Sequence, residues 1–277
     1  MIEIHFDERV KIGLQYALET LHGCSPFGQE RIRRLRFYAP EERAELEREL
    51  YNVEQAARAA EALKDTYTKV MTVLCQMKDI RTSLRRCAAG ETPDHVELFE
   101  IKGYLQRLEN LRPLFEEINA VTHFDGLSFH DPKPALAVLD PDKTGSRGFY
   151  IPDSATARLK EIRQAKKDVE ERLFHAQTDA EKDDLRLKRT HLCAEEDSEE
   201  TKVRKSMAAA LAPMVDDLLS DADAAGSLDF IIQKALFAVR YGGVRPELTD
   251  RELELTDMVN PEICDLLAEQ GRRFVPV

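Results

Sequence analysis

Tryptophan is absent from this 277-residue chain, and glycine and proline are scarce at 12 residues each. So little turn-forming chemistry excludes collagen-like and low-complexity architectures and leaves room for long helices. Cysteine is sparse too. Cys24, Cys75, Cys87, Cys193 and Cys264 are odd in number and form no CxxC pair, which argues against a disulfide framework or a zinc ribbon and makes reduced thiols the expectation. Cys75 and Cys87 fall in or beside apolar stripes and are expected as small buried residues. His22 with Cys24 and His191 with Cys193 are the close His/Cys neighbours, short of the four converging ligands zinc requires.

Positive charge is in deficit: 40 Lys and Arg face 52 Asp and Glu, a formal net charge of -12. That excludes a chain that coats nucleic acid by bulk charge, so any DNA contact has to come from local patches. No apolar run approaches the roughly 20 residues of a membrane helix, and no charged-then-apolar leader precedes the first helix, so a cytoplasmic protein without membrane partners is expected. The catalytic spacings GxGxxG, GxxxxGK[ST], HExxH and GxSxG are all missing. Carboxylates abound, but nothing distinguishes one pair for acid-base work. The chain therefore reads as non-catalytic, with no metal and no cofactor of its own.

What is present is helical periodicity. Leu46, Leu50, Val53, Ala57 and Ala60 recur at four-three spacing behind Pro40 and an acidic first turn, which predicts an amphipathic helix. A second is expected from Thr92 as cap, with the stripe Val96, Phe99, Leu105, Leu108, Leu111, Phe115 and Ile118 and a bend at Pro113. From 120 to 152, Gly and Pro punctuate short apolar pieces such as Ala135–Leu139 and Phe149–Ile151, read as loop with one or two short strands at most. Asp153 or Ser154 should cap a long helix with the seam Leu159, Ile162, Lys166, Val169, Leu173 and Ala176. Thr178 and Glu181 form a capping-box pattern that restarts the chain beyond a hairpin tip. The return carries Leu211, Val215, Leu218, Ala222 and Ala225, with a kink at Pro213, a stop at Gly226 and a further helix from 227 to 241. The expected fold is all-α: a helical core (1–152), lever helices with a short charged arm (153–226), and a returning helix (227–277).

Basic residues cluster at Arg31, Arg33, Arg34 and Arg36; at Arg81, Arg85 and Arg86; and in the arm at Arg186, Lys188, Arg189, Lys202, Arg204 and Lys205. Between 178 and 205, nine acids outnumber seven bases. A DNA-gripping arm would then need its cations segregated on one face. With acids interleaved, a solvated face of weak ion pairs is the simpler expectation for most of these clusters.

Taken in order, four segments resemble the connector, core and lever region of the MutS family of DNA-repair ATPases. They are Ser25-Pro26-Phe27-Gly28-Gln29-Glu30-Arg31-Ile32-Arg33-Arg34-Leu35; Lys78-Asp79-Ile80-Arg81-Thr82-Ser83-Leu84-Arg85-Arg86; Phe149-Tyr150-Ile151-Pro152-Asp153-Ser154 with Leu159-Lys160-Glu161-Ile162-Arg163; and Ala235 through Leu248. The resemblance implies a lever that couples an ATPase to DNA. The six arm cations would be the phosphate contacts, ATP and Mg would bind an ATPase domain lying beyond this chain in a longer protein, and any homodimer would rest mainly on that domain. No sheet-rich mismatch-reading domain precedes the helical core, which points to a MutS-like branch acting on branched or recombining DNA. The alternative expectation is a helical protein-interaction scaffold that never meets nucleic acid.

Overall fold

The computed structural model describes residues 5–35, 37–146, 148–249 and 254–276. Arg36 of the first basic cluster lies outside them. The helices are α1 (Phe6–Lys11), α2 (Leu14–Thr20), α3 (Pro26–Arg33), α4 (Arg43–Ala59), α5 (Lys64–Leu74), α6 (Arg81–Ala88), α7 (His95–Thr122), α8 (Lys133–Leu139), α9 (Ala157–His175), α10 (Asp179–Leu211), α11 (Val215–Tyr241) and α12 (Pro261–Glu269). Single 3-10 turns at Pro40–Glu42 and Ala212–Met214 lead into α4 and α11. Side-chain caps start α3, α7, α9, α10 and α12, at Ser25, Asp94, Thr156, Thr178 and Asn260. The all-α expectation holds, and among the described residues there is no strand. Ala135–Leu139, expected as a possible strand, lies in α8 because Pro132 and Pro134 pre-set helical φ in its first turn.

Two starts differ from expectation by two or three residues. Asp94, not Thr92, opens α7: its Oδ1 accepts from Glu97 N at 2.7 Å, and Glu97 Oε2 accepts from Asp94 N at 2.9 Å, a reciprocal box. Val96 and Phe99 consequently face solvent, while Leu98, Ile101 and Leu105 are buried. Thr156, not Asp153 or Ser154, caps α9 by accepting from Leu159 N at 3.0 Å. In α4 the buried positions are Asn52, Ala56 and Ala59, beside the expected stripe, of which Ala60 at the helix end is buried while Leu46, Leu50, Val53 and Ala57 are half-buried. Asn52 can go inside because it exchanges two hydrogen bonds with the backbone of Asp125, at 2.9 and 2.8 Å.

α11 passes straight through Gly226, where a stop was expected. The glycine is needed for contact, not for a turn: a Cβ there would sit 2.9 Å from Phe27 Cβ. Helix α7 likewise continues through Pro113, and the Pro213 kink appears as the 3-10 turn between α10 and α11.

Compactness does not follow chain order. One unit gathers Met1–Asp79, Arg107–His130 and Ser220–Val277; the other gathers Ile80–Gln106 and Asp131–Leu219. In the first, Phe27, Tyr67, Val70, Leu74, Leu228 and Ile232 are core residues, and a buried carboxylate organises the entry to α3. Asp229 accepts from Cys24 N at 3.1 Å and from both Ser25 N and Ser25 Oγ at 2.7 Å, while Ser25 Oγ caps α3 by accepting from Gly28 N at 2.9 Å. Burial raises the Asp229 pKa against the opposing pull of these hydrogen bonds. In the second unit, α10 packs along α9 and then on α6 and α8. No helix among the described residues is long and apolar enough to cross a membrane.

Candidate partner-binding arm

The α9–α10 hairpin is the feature that most resembles a working part. Only residues 176–178 join the two helices, and Thr178 Oγ1 accepts from Glu181 N at 3.3 Å to start α10. At 1.5 Å per residue the 33 residues of α10 span about 50 Å. Cross-links show the pairing to be antiparallel: Arg158 to Glu195 at 2.8 Å, Lys166 to Glu196, and Arg189 to Glu170 at 2.8 Å.

The root of this hairpin is held by Arg163, a residue the apolar seam did not single out, since arginine beside a leucine stripe normally reads as solvated. It is 6% exposed. Its guanidinium donates to Ile151 O at 2.8 Å, Asp153 Oδ1 at 2.5 Å, Glu196 Oε1 at 2.9 Å and Glu200 Oε1 at 2.7 Å, and lies over the Tyr150 ring at 4.7 Å. Five donors in a planar fork suit such a multi-armed role, and lysine could not reproduce it. Burial opposes the charge, yet the three carboxylates outweigh it and hold the Arg163 pKa above the ordinary arginine value. Glu196 is depressed in turn, burial being overcome by Lys166 and Arg163, and Asp153 is depressed chiefly by its hydrogen bond with Arg163. A signal existed in the sequence: Glu196 and Glu200 are four apart and so share a helix face, which a guanidinium can bridge.

The arm cations do not form one patch. All six lie on α10, from Arg186 to Lys205, about 29 Å apart along the axis, and at 100° per residue they point around the helix rather than to one side. Most are already engaged. Arg186 pairs with Asp183 at 3.1 Å, Lys188 with Asp184 at 2.6 Å, Arg189 with Glu170 at 2.8 Å and Lys202 with Glu199 at 2.9 Å. Arg204 donates to Pro93 O at 3.0 Å and Thr201 Oγ1 at 2.8 Å, and Lys205 is exposed. Pairs this open to solvent are worth only about 0.2–1 kcal/mol each and exchange readily for another anion. Beyond the clasp, Phe174 and Leu187 are 85% and 71% exposed, large apolar side chains displayed on the outer part of the arm.

Cys75, expected as buried, is exposed at the C-terminal end of α5, whereas Cys87 is buried as expected. Compared with known families and curated proteins, the chain matches no family model and no curated protein.

Proposed function

We propose that this chain is a non-catalytic helical lever, the core-and-arm part of a MutS-like ATPase, whose α9–α10 hairpin carries movement from a nucleotide-driven domain to DNA held against the arm. ATP and Mg would belong to that domain in the parent protein, as would most of any homodimer contact. The observation that carries the reading is the Arg163 clasp. It joins Asp153 and Arg163, both within the segment that resembles the family's outgoing lever, to two carboxylates of the returning helix. An arm fixed rigidly at its root turns a small rotation there into a large displacement at its end.

A second reading, a protein-docking scaffold, draws support from the ion-paired state of the arm cations and from the exposure of Phe174 and Leu187. Fluorescence anisotropy with labelled duplex and branched DNA at low salt separates the two. The lever reading expects binding that weakens with salt by about 0.9 in log-log slope per phosphate contact. It further expects loss of that binding when Arg186, Lys188, Arg189, Lys202 and Lys205 are reversed to glutamate; Arg204 is spared because it closes onto Pro93. No affinity in the wild type, or affinity and slope unchanged by the reversal, removes DNA from the proposal and leaves the scaffold.

A further inference from the structure

Lys102 of α7 is only 3% exposed, a position where lysine is rare unless its ammonium is well compensated. Its compensation is loose. Nζ lies 3.4 Å from Asp140 Oδ1 and donates to Gly148 O at 3.3 Å, and the third N–H has no partner among the described residues. The same side chain lines a cavity of about 590 Å³, formed within the second unit by α7 and the chain that joins α8 to α9. That volume is in the range of small-molecule pockets. Leu139, Pro141, Phe149, Tyr150 and Pro152 give the cavity apolar and aromatic walls. Tyr150 is fixed in place, its hydroxyl donating to Asp153 at 3.1 Å and its ring covered by Arg163 at 4.7 Å.

Charge narrows what the cavity can hold. Among the described lining residues, Asp140 is engaged by Lys102, Thr144 and Gly145, and Asp153 by Arg163 and Tyr150. Asp142 is left with one long hydrogen bond, from Ser154 Oγ at 3.4 Å. An anion would meet that uncompensated carboxylate, and a purely apolar ring would leave both the Lys102 N–H and Asp142 unsatisfied. A flat, uncharged ring that carries an acceptor for Lys102 and an N–H donor for Asp142 satisfies both. We infer that this cavity is a nucleobase site, in which the base lies against the aromatic walls, a carbonyl oxygen or ring nitrogen accepts from Lys102 Nζ, and an amino group donates to Asp142. Stacking on aromatic side chains, lysine to a base acceptor and carboxylate to a base amine are general means of base recognition. A free nucleoside and an unpaired nucleotide of a strand present the same chemistry. The site uses none of the arm cations, so it stands or falls apart from the lever reading.

Saturation-transfer difference NMR on the intact chain tests the assignment, with adenosine, guanosine, cytidine and uridine in turn and benzoate as an anionic ring. The nucleosides that bear an amino group should show transfer to their base protons stronger than to their ribose protons; uridine, which has no amino group, should show less, and benzoate none. Asp142→Ala and Lys102→Met should each weaken nucleoside binding by about tenfold, the loss of one hydrogen bond to a charged group. Asp142 is exposed, so its variant keeps the test decisive even where circular dichroism shows that Lys102→Met, which takes a partner from Asp140, has not folded. A short single-stranded oligodeoxynucleotide separates the two sources. Displacement of the nucleoside by the strand at a lower concentration assigns the site to an unpaired base in a strand, and failure to displace assigns it to a free nucleoside. No transfer to any nucleoside, transfer to uridine or benzoate as strong as to the amino-bearing nucleosides, or binding unchanged in Asp142→Ala overturns the inference.

Discussion

Replacing Arg163 with methionine keeps most of the side-chain volume and removes the guanidinium, so Asp153, Glu196 and Glu200 lose their shared partner in one step. Breaking a buried ion pair from one side costs about 3–5 kcal/mol, because the carboxylates left behind remain desolvated. Two features reduce that figure here: the Asp153 side chain is 44% exposed and can recover water, and Glu196 keeps Lys166. About 3 kcal/mol is therefore expected, and at roughly 2–4 °C per kcal/mol for a chain of this size the melting temperature should fall by about 6–12 °C. The pH dependence is the sharper test. Asp153 and Glu196 have folded-state pKa values lowered below their ordinary ones, so their contribution is fully present above the ordinary carboxylate range and is lost as pH falls through the folded values. The gap between wild type and variant, measured by urea unfolding, should be full at pH 7 and shrink below about pH 4 as the carboxylates take protons. It should also persist in high salt, since buried pairs are poorly screened. A variant that melts within a degree of wild type at pH 7, or a gap that is unchanged on acidification, would refute the clasp as the support of the arm.

Two further substitutions test the first unit. Gly28→Ala would place a Cβ 2.2 Å from Asp229 Oδ2, a clash that forces apart the Ser25 cap and the buried carboxylate; a loss of about 2–4 kcal/mol in chemical denaturation is expected, and near wild-type stability would show that Asp229 is free to move. Asp265 accepts from Tyr16 Oη at 2.6 Å, Tyr241 Oη at 2.7 Å and Arg240 at 2.9 Å, joining α12 to α2 and α11. Burial and the Asp265 hydrogen bond push the Tyr241 hydroxyl up to about 12. In Asp265→Ala, tyrosinate absorbance should therefore rise at lower pH than in wild type, and superimposable titration curves would count against the shared hydrogen bonds.

Some residues of this protein have a structural role that their near neighbours in sequence decide, and others one that only distant partners decide. The sequence alone determined the all-α class, the hairpin turn at Thr178, the kink at Pro213 and the buried run Leu211, Val215, Leu218, Ala222 and Ala225. These are properties of a single helix and its ends, where periodicity and capping act over four residues or fewer. Helix starts were legible only to within two or three residues, because Thr92, Asp94, Asp153, Ser154 and Thr156 are all competent caps and packing chooses among them. What tertiary structure decided were the groups whose meaning depends on a distant partner. Arg163 is a surface residue until Asp153, Glu196 and Glu200 surround it, and Gly226 is a helix stop until Phe27 lies against it. Burying a charge or removing a Cβ is favourable only when the complementary group is supplied across the fold, and no local pattern along one chain encodes where that group will be.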